Sequence, residues 1–137
     1  MTPCATQSTL KLPECIQSAT GQSEALFGDM AVSLHDTSVA TELCEELFTP
    51  HAPHIDHALR GIEIFTNGSA SHHQLRKLDK RLELTLGPLR KAGGVYVYSN
   101  LRGCDGERLY FDGCACIAVN GELVAQVGQA PELPFPL

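Results

Sequence analysis

No apolar run in the 137-residue sequence approaches the roughly 18 to 20 residues that a membrane-spanning helix needs, so no membrane partner is expected. Basic residues are scarce: 10 Lys and Arg stand against 16 Asp and Glu, a net charge of −6. That balance argues against a phosphate-backbone binder, and no nucleic-acid partner is expected. The one basic cluster, Arg76, Lys77, Lys80 and Arg81, has i, i+4 spacing and reads as a solvated helix face. The start, MTPCATQSTLKLPEC, has neither a basic n-region nor an apolar h-region, so no secretory leader is expected. Without that context the six cysteines, Cys4, Cys15, Cys44, Cys104, Cys114 and Cys116, read as free thiols of a reducing cytoplasm rather than a disulfide framework. There is no CxxC pair and no His-x₃-His pair. His51, His54 and His57 straddle Pro53, and with His72 and His73 they read as structural or surface histidines, so no metal is expected.

What is present fits one domain with a real core: 43% of residues are hydrophobic and 19% charged. Residues 1–26 are weakly patterned and rich in Ser, Thr and Gln. Residues 27–129 carry the domain, and 130–137 (APELPFPL) form a Pro-rich tail that cannot continue a sheet. Within the domain, residues 30–34 and 37–44 read as adjacent strands and 55–59 as a short helix stopped near Gly61. IEIFTN (62–67) reads as a strand and 68–71 as a small-residue loop. The interval 72–91 is the strongest helix, with Leu75, Leu78, Leu82 and Leu86 at spacings of three and four, Pro88 as a blemish and Gly93–Gly94 as the stop. VYVYSN (95–100) reads as a strand and 101–107 as a loop. Three further strands, 108–111, 114–119 and 123–127, make a meander whose last turn carries the hairpin dipeptide Asn120-Gly121. Asp105 and Asp112 read as turn caps, with a place near a domain interface as the alternative for either. Cys114 and Cys116 read as buried small hydrophobes. The order implies an α/β sandwich with one helical layer on one sheet.

The feature with chemical content is TELCEELF. Cys44 stands where a strand ends and a turn toward a helix begins, a placement that lifts a nucleophile above a sheet edge and aims backbone N–H groups at it. A buried structural cysteine is the competing reading of that spacing.

Two long stretches, CEELFTPHAPHIDHALRGIEIFTNGSASHHQLRK and GGVYVYSNLRGCDGERLYFDGCACIAVNGELVAQ, resemble the glutaminase domain of the eukaryotic-type glutamine-dependent NAD synthetase family, within the nitrilase superfamily of carbon-nitrogen hydrolases. FGDMAVSLHDTSVATELC fits the strand pair that leads into that family's nucleophile. The resemblance implies an α-β-β-α sandwich, here incomplete and representing the C-terminal part of the domain. It implies glutamine as substrate, a Cys–Glu–Lys trio with a thioester intermediate, and delivery of ammonia to a separate synthetase domain that uses ATP and Mg to amidate nicotinic acid adenine dinucleotide. It also implies homo-oligomers. Carried over, Cys44 is the nucleophile and the Glu45 backbone N–H the oxyanion donor. Ser71 and either Arg76 or Lys77 hold the amino-acid head of glutamine, a solvated face remaining the alternative for the last two. The family's Glu and Lys precede the nucleophile and find no match here, because Lys11, the single lysine before Cys44, falls in a stretch that follows the family's lysine. No phosphate loop of the ATP domain is matched either, so no cofactor is assigned to this chain and it is expected to be inactive alone. Two other readings share these residues: a different nitrilase-branch amidase, and an inactive fragment serving as an interaction module.

Overall fold

The computed structural model describes residues 7–127 and divides the chain into two compact units, Met1–Ala31 and Val32–Leu137. The tail at 130–137, Cys4 and the start of the chain lie outside the described residues.

The first unit carries more structure than the sequence pattern suggested. β1 (Gln7–Lys11) pairs antiparallel with β2 (Glu24–Gly28), and α1 (Glu14–Thr20) connects them. α1 stops at Gly21, whose φ of 73° suits a residue without Cβ. Both strands are mostly exposed along their length, so no inward and outward alternation marks them in the sequence.

The second unit is built on a six-stranded sheet in the order β10-β9-β6-β5-β4-β3. Its strands are β3 (Ala31–Ser33), β4 (Ser38–Leu43), β5 (Ile64–Ser69), β6 (Val95–Asn100), β9 (Cys116–Val119) and β10 (Glu122–Gln126). The central three, β4, β5 and β6, run parallel, and β9 and β10 turn back antiparallel. Parallel neighbours need crossovers. The first is a 3₁₀ turn (Cys44–Phe48) followed by α2 (Pro53–Leu59), and the second is α3 (Lys77–Ala92). The inward set Ala40, Phe65, Tyr96, Tyr98, Cys116 and Ala118 is buried, and all of it but Ala40 packs in one cluster with Leu47 and Leu89 from the helical layer. Thr41, Leu43 and Ile117, at alternate positions, are exposed, so the sheet has one helix-covered face and one open face. This is the single α/β layer read from the sequence.

Four local details differ from the sequence pattern. α3 begins at Lys77, not at residue 72, because His72 bridges Phe111 and the His73 N–H donates to Tyr110 O at 2.7 Å. The interval 108–111 is not part of the main meander: β8 (Tyr110–Asp112) pairs with β7 (Arg102–Cys104) in its own two-stranded sheet. Gly68 and Ser69 extend β5 rather than opening a loop. α3 runs unbroken through Pro88.

Gly94 closes this unit. Its φ is 96°, its N–H donates to Asn120 Oδ1, and its carbonyl accepts from Asn120 N, which ties the end of α3 to the β9–β10 turn. A Cβ at Gly94 would stand 2.7 Å from Glu63 O, whereas one at Gly87, inside α3, would meet nothing. Gly94→Ala is therefore expected to destabilise the fold by about 1–3 kcal/mol, and Gly87→Ala to stabilise it by about 0.5–1 kcal/mol. Urea unfolding of the two variants checks the contrast, and equal shifts would refute it.

Candidate active site

The parallel strands β4, β5 and β6 end on one edge, where a crevice is expected in open α/β sheets. A cleft of about 660 Å³ lies there, lined by Leu43 and Cys44 after β4, Gly68 to Ala70 after β5, and Ser99 to Leu101 after β6. Cys44 is the first residue beyond β4. Its φ is 35°, a left-handed conformation rare for a residue with a Cβ, and its side chain is half-buried. Such strain costs on the order of 1–3 kcal/mol and collects at functional sites. The turn is clamped from both sides: the Glu46 carboxylate accepts from Leu43 N at 2.6 Å, and Thr49 Oγ1 donates to Glu46 O at 2.8 Å. Glu45 follows within the first turn, where helical N–H groups have no internal acceptor.

Lys77 opens α3 beside this elbow. Its ammonium donates to His72 O at 3.1 Å and lies 5.7 Å from the centre of the Phe48 ring. Burial and the neighbouring Arg81 charge lower its pKa, while the Asp112 charge, and more weakly Cys44 and Glu45, oppose that shift. Arg76, by contrast, is exposed, with φ 62° at the cap of the helix. Tyr98 lies against the Ser69 and Ser71 side chains, and burial pushes its phenol up. Ser71 itself is buried. The structure thus sets Lys77 within electrostatic reach of Cys44 and Glu45, buries Ser71 beside Tyr98 behind the residues that line the cleft, and leaves Arg76 outside on the helix surface.

Two buried polar clusters support this edge, and neither was read from the sequence. In the first, Glu42, two residues before Cys44, is 2% exposed. Its Oε2 accepts from His54 Nδ1 at 2.9 Å and His54 N at 3.1 Å, and its Oε1 accepts from Tyr96 Oη and Asn67 Nδ2. Burial alone would raise the Glu42 pKa, but the hydrogen bonds from His54 and Tyr96 outweigh it and hold the group below its ordinary 4.5. Burial and the adjacent Glu42 charge push the Tyr96 phenol far up, so it stays a donor.

In the second cluster Arg81, 2% exposed, makes a forked pair with Asp112 at 2.9 and 3.3 Å. This corrects two readings. The basic cluster is not one solvated face, since only part of it meets solvent. Asp112 caps no turn: it is buried under Arg81, with His73 Nδ1 at 3.1 Å. Asp105 does cap its turn, accepting from the N–H groups of Glu107, Arg108 and Leu109 at 2.8 to 3.0 Å. His54 and His57 are buried in α2, and His51 pairs with Asp56 at 3.0 Å. Cys114 and Cys116 are buried, as read. Among the described residues no group of three or more His, Cys, Asp and Glu is placed to hold a metal ion, and no helix is long and apolar enough to cross a membrane.

Comparison with known proteins identifies the family. The carbon-nitrogen hydrolase family profile matches residues 6–133. The glutamine-dependent NAD(+) synthetase of Saccharomyces cerevisiae is 58% identical over 118 residues, 86% of this chain, and the human protein of that name is 51% identical over 118 residues. The chain spans only 16% of the yeast protein's length and 17% of the human one. Among solved structures, a glutamine-dependent NAD(+) synthetase from Cytophaga hutchinsonii superposes with a TM-score of 0.68 at 27% identity, over 92% of this chain and 18% of that one. An amidase from Nesterenkonia sp. superposes with a TM-score of 0.64 at 19% identity, over 76% of this chain and 38% of its own, a likeness of fold. The fold is therefore a partial nitrilase-type one.

Glu42 and Asp112 both have folded pKa values below their ordinary 4.5 and 3.8. For Asp112 burial acts upward and is outweighed by the Arg81 and His73 hydrogen bonds. A carboxylate depressed in the folded state contributes stability that is complete above its unfolded pKa and lost as pH falls through its folded value. Stability is therefore expected to hold from pH 7 to about 5 and to drop below 4.5. Glu42→Gln should cost about 1–3 kcal/mol at pH 7 and flatten the acid-side decline. Urea unfolding across pH checks this, and parallel profiles for the two proteins would refute it.

Proposed function

Because the chain belongs to the carbon-nitrogen hydrolase family, we propose that it is the glutamine-hydrolysing part of a glutamine-dependent NAD synthetase, with Cys44 as its nucleophile. The observation that carries this reading is the left-handed Cys44 elbow over the cleft at the ends of β4, β5 and β6. The identity of 51–58% to synthetases of that name, from yeast to human, supports the substrate.

In the proposed reaction the Cys44 sulfur attacks the side-chain amide carbon of glutamine. The S–C bond forms, the C–N bond breaks, and the nitrogen leaves as ammonia carrying the thiol proton. Water then cleaves the thioester, giving glutamate and the free thiol. The Glu45 N–H donates to the oxyanion of both tetrahedral species, a contribution of about 10²- to 10³-fold for such a donor. Ser71 and Lys77 hold the amino-acid head. Lys77 is favoured over Arg76 because it is half-buried beside Cys44 and Glu45, while Arg76 points its charge from an exposed cap. Ammonia passes to the amidation of nicotinic acid adenine dinucleotide, a step of a synthetase domain that uses ATP and Mg; no step at Cys44 uses either. The family's general-base Glu and its Lys have no counterpart among the residues matched here, so the 137-residue chain alone releases ammonia negligibly. Cys15, Cys44, Cys104 and Cys116 are free thiols, in keeping with a cytoplasmic setting, and the open sheet face supports association with further chain or further copies.

The test is a graft. These residues replace the matching 118 residues of the Saccharomyces cerevisiae relative, which supplies the missing partners. Glutamine-dependent ammonia release is expected from the graft, with a loss of at least about 10³-fold in Cys44→Ala. Lys77→Ala should raise KM for glutamine by about tenfold or more with a smaller change in kcat. Release that survives Cys44→Ala would contradict the proposal, as would equal release from the isolated chain and the graft.

A further inference from the structure

Ser71 is held by its backbone, not by its neighbours in sequence. Its N–H donates to Asn100 Oδ1 at 2.8 Å, and its carbonyl accepts from Asn100 Nδ2 at 3.1 Å and from Arg81 Nη2 at 3.3 Å. Both of its peptide groups are therefore fixed by two side chains, one from the end of β6 and one from inside α3. Those two side chains converge on one carboxylate. Asp112 Oδ1 accepts from Arg81 Nη1 at 2.9 Å and from Asn100 Nδ2 at 3.3 Å, and Oδ2 accepts from Arg81 Nη2 at 3.3 Å. Asn100 Nδ2 also reaches Gly113 O at 3.0 Å, which fastens the bracket to the strand that carries Asp112.

We propose that Asp112 is a positioning residue for the glutamine site: through Arg81 and Asn100 it fixes the Ser71 backbone, and so sets where the Ser71 side chain meets the substrate. The inference rests on the reading of the Cys44 cleft as that site.

Energetics favour a positional role over a stabilising one. Arg81 and Asp112 are 2% and 4% exposed, and desolvating such a pair offsets most of its attraction; apolar residues of the same volume usually serve stability as well or better. Arg81 Nε is buried without a hydrogen-bond partner among the described residues, a further cost. What the forked pair supplies, and apolar packing does not, is direction. The planar guanidinium locked on Asp112 has one Nη2 hydrogen left to aim at Ser71 O. The amide of Asn100, with its Nδ2 drawn toward Asp112 and Gly113, presents Oδ1 to Ser71 N. Small errors in such a contact are costly, since a misplacement of about 1 Å can lower a rate by about 10²-fold.

The experiment has two readouts on Asp112→Asn. The first is site-resolved amide hydrogen exchange in the full 137-residue chain, where no chemistry is required. The Ser71 amide is expected to speed up at least about tenfold more than the Tyr96 amide in the sheet core, which reads the global loss of stability. The second is steady-state kinetics of the variant in the yeast graft, where KM for glutamine is expected to rise at least about tenfold with kcat within about threefold. If Asp112→Asn does not fold, Arg81→Lys reads the same amide, because it keeps the charge and loses the fork. An unchanged Ser71 amide overturns the proposal. So does a uniform rise across the sheet, or a fall in kcat with KM constant. Failure of the underlying site reading has a different signature: ammonia release would then persist in Cys44→Ala whatever the Ser71 amide does.

Discussion

A single buried carboxylate joins the parts of this fold that the cleft depends on. Glu42 leaves β4 on its inward side and receives donors from α2, β5 and β6 within one hydrogen-bond shell. A carboxylate 2% exposed is tolerable only when its lone pairs are filled. Filling them requires α2 to sit over β4 and requires the three parallel strands to keep their register. Once that is satisfied, Glu42 fixes the last inward position of β4, and the chain has two residues left in which to turn. The consequence is the left-handed Cys44, with Glu46 and Thr49 closing the turn behind it. The strain at Cys44 is thus supported by a network anchored two residues back along β4.

The second cluster does the corresponding work at the other wall. β5 and β6 follow β4 in the sheet, and Asn100, the last residue of β6, ties Ser71, two residues past β5, to Asp112, which also holds Arg81. One wall of the cleft carries the thiol and the other carries Asn100, which holds the Ser71 backbone. Each is referenced to the same parallel triplet, so the distance between them is a property of the sheet rather than of loops. That arrangement is what a glutaminase site needs if thiol and amide carbon are to meet within reacting distance.

Much of the second unit was legible because its signals are local. β6, the short helix before Gly61, the Gly93–Gly94 stop and the Asn120-Gly121 turn all appear where composition placed them, within a residue or two. The elbow at Cys44 was legible from a strand running into CEELF. What was not legible depends on residues distant in sequence. The β1–β2 pair has no alternation to announce it. The start of α3 is delayed by Phe111 and Tyr110, some 40 residues on in the chain. Arg81 reads as surface from its helical spacing with Lys77, and only Asp112, 31 residues away, explains its burial. Glu42 did leave a trace: it shares strand parity with buried Ala40, and a charge at an inward position calls for partners.

The most direct measurement of the central claim is covalent trapping by 6-diazo-5-oxo-norleucine, a glutamine mimic that alkylates an activated nucleophile, applied to the yeast graft and read by peptide mass spectrometry. The account predicts a single adduct, on Cys44, suppressed by excess glutamine. No adduct, or labelling spread over exposed thiols such as Cys15 and Cys104 and indifferent to glutamine, would contradict it.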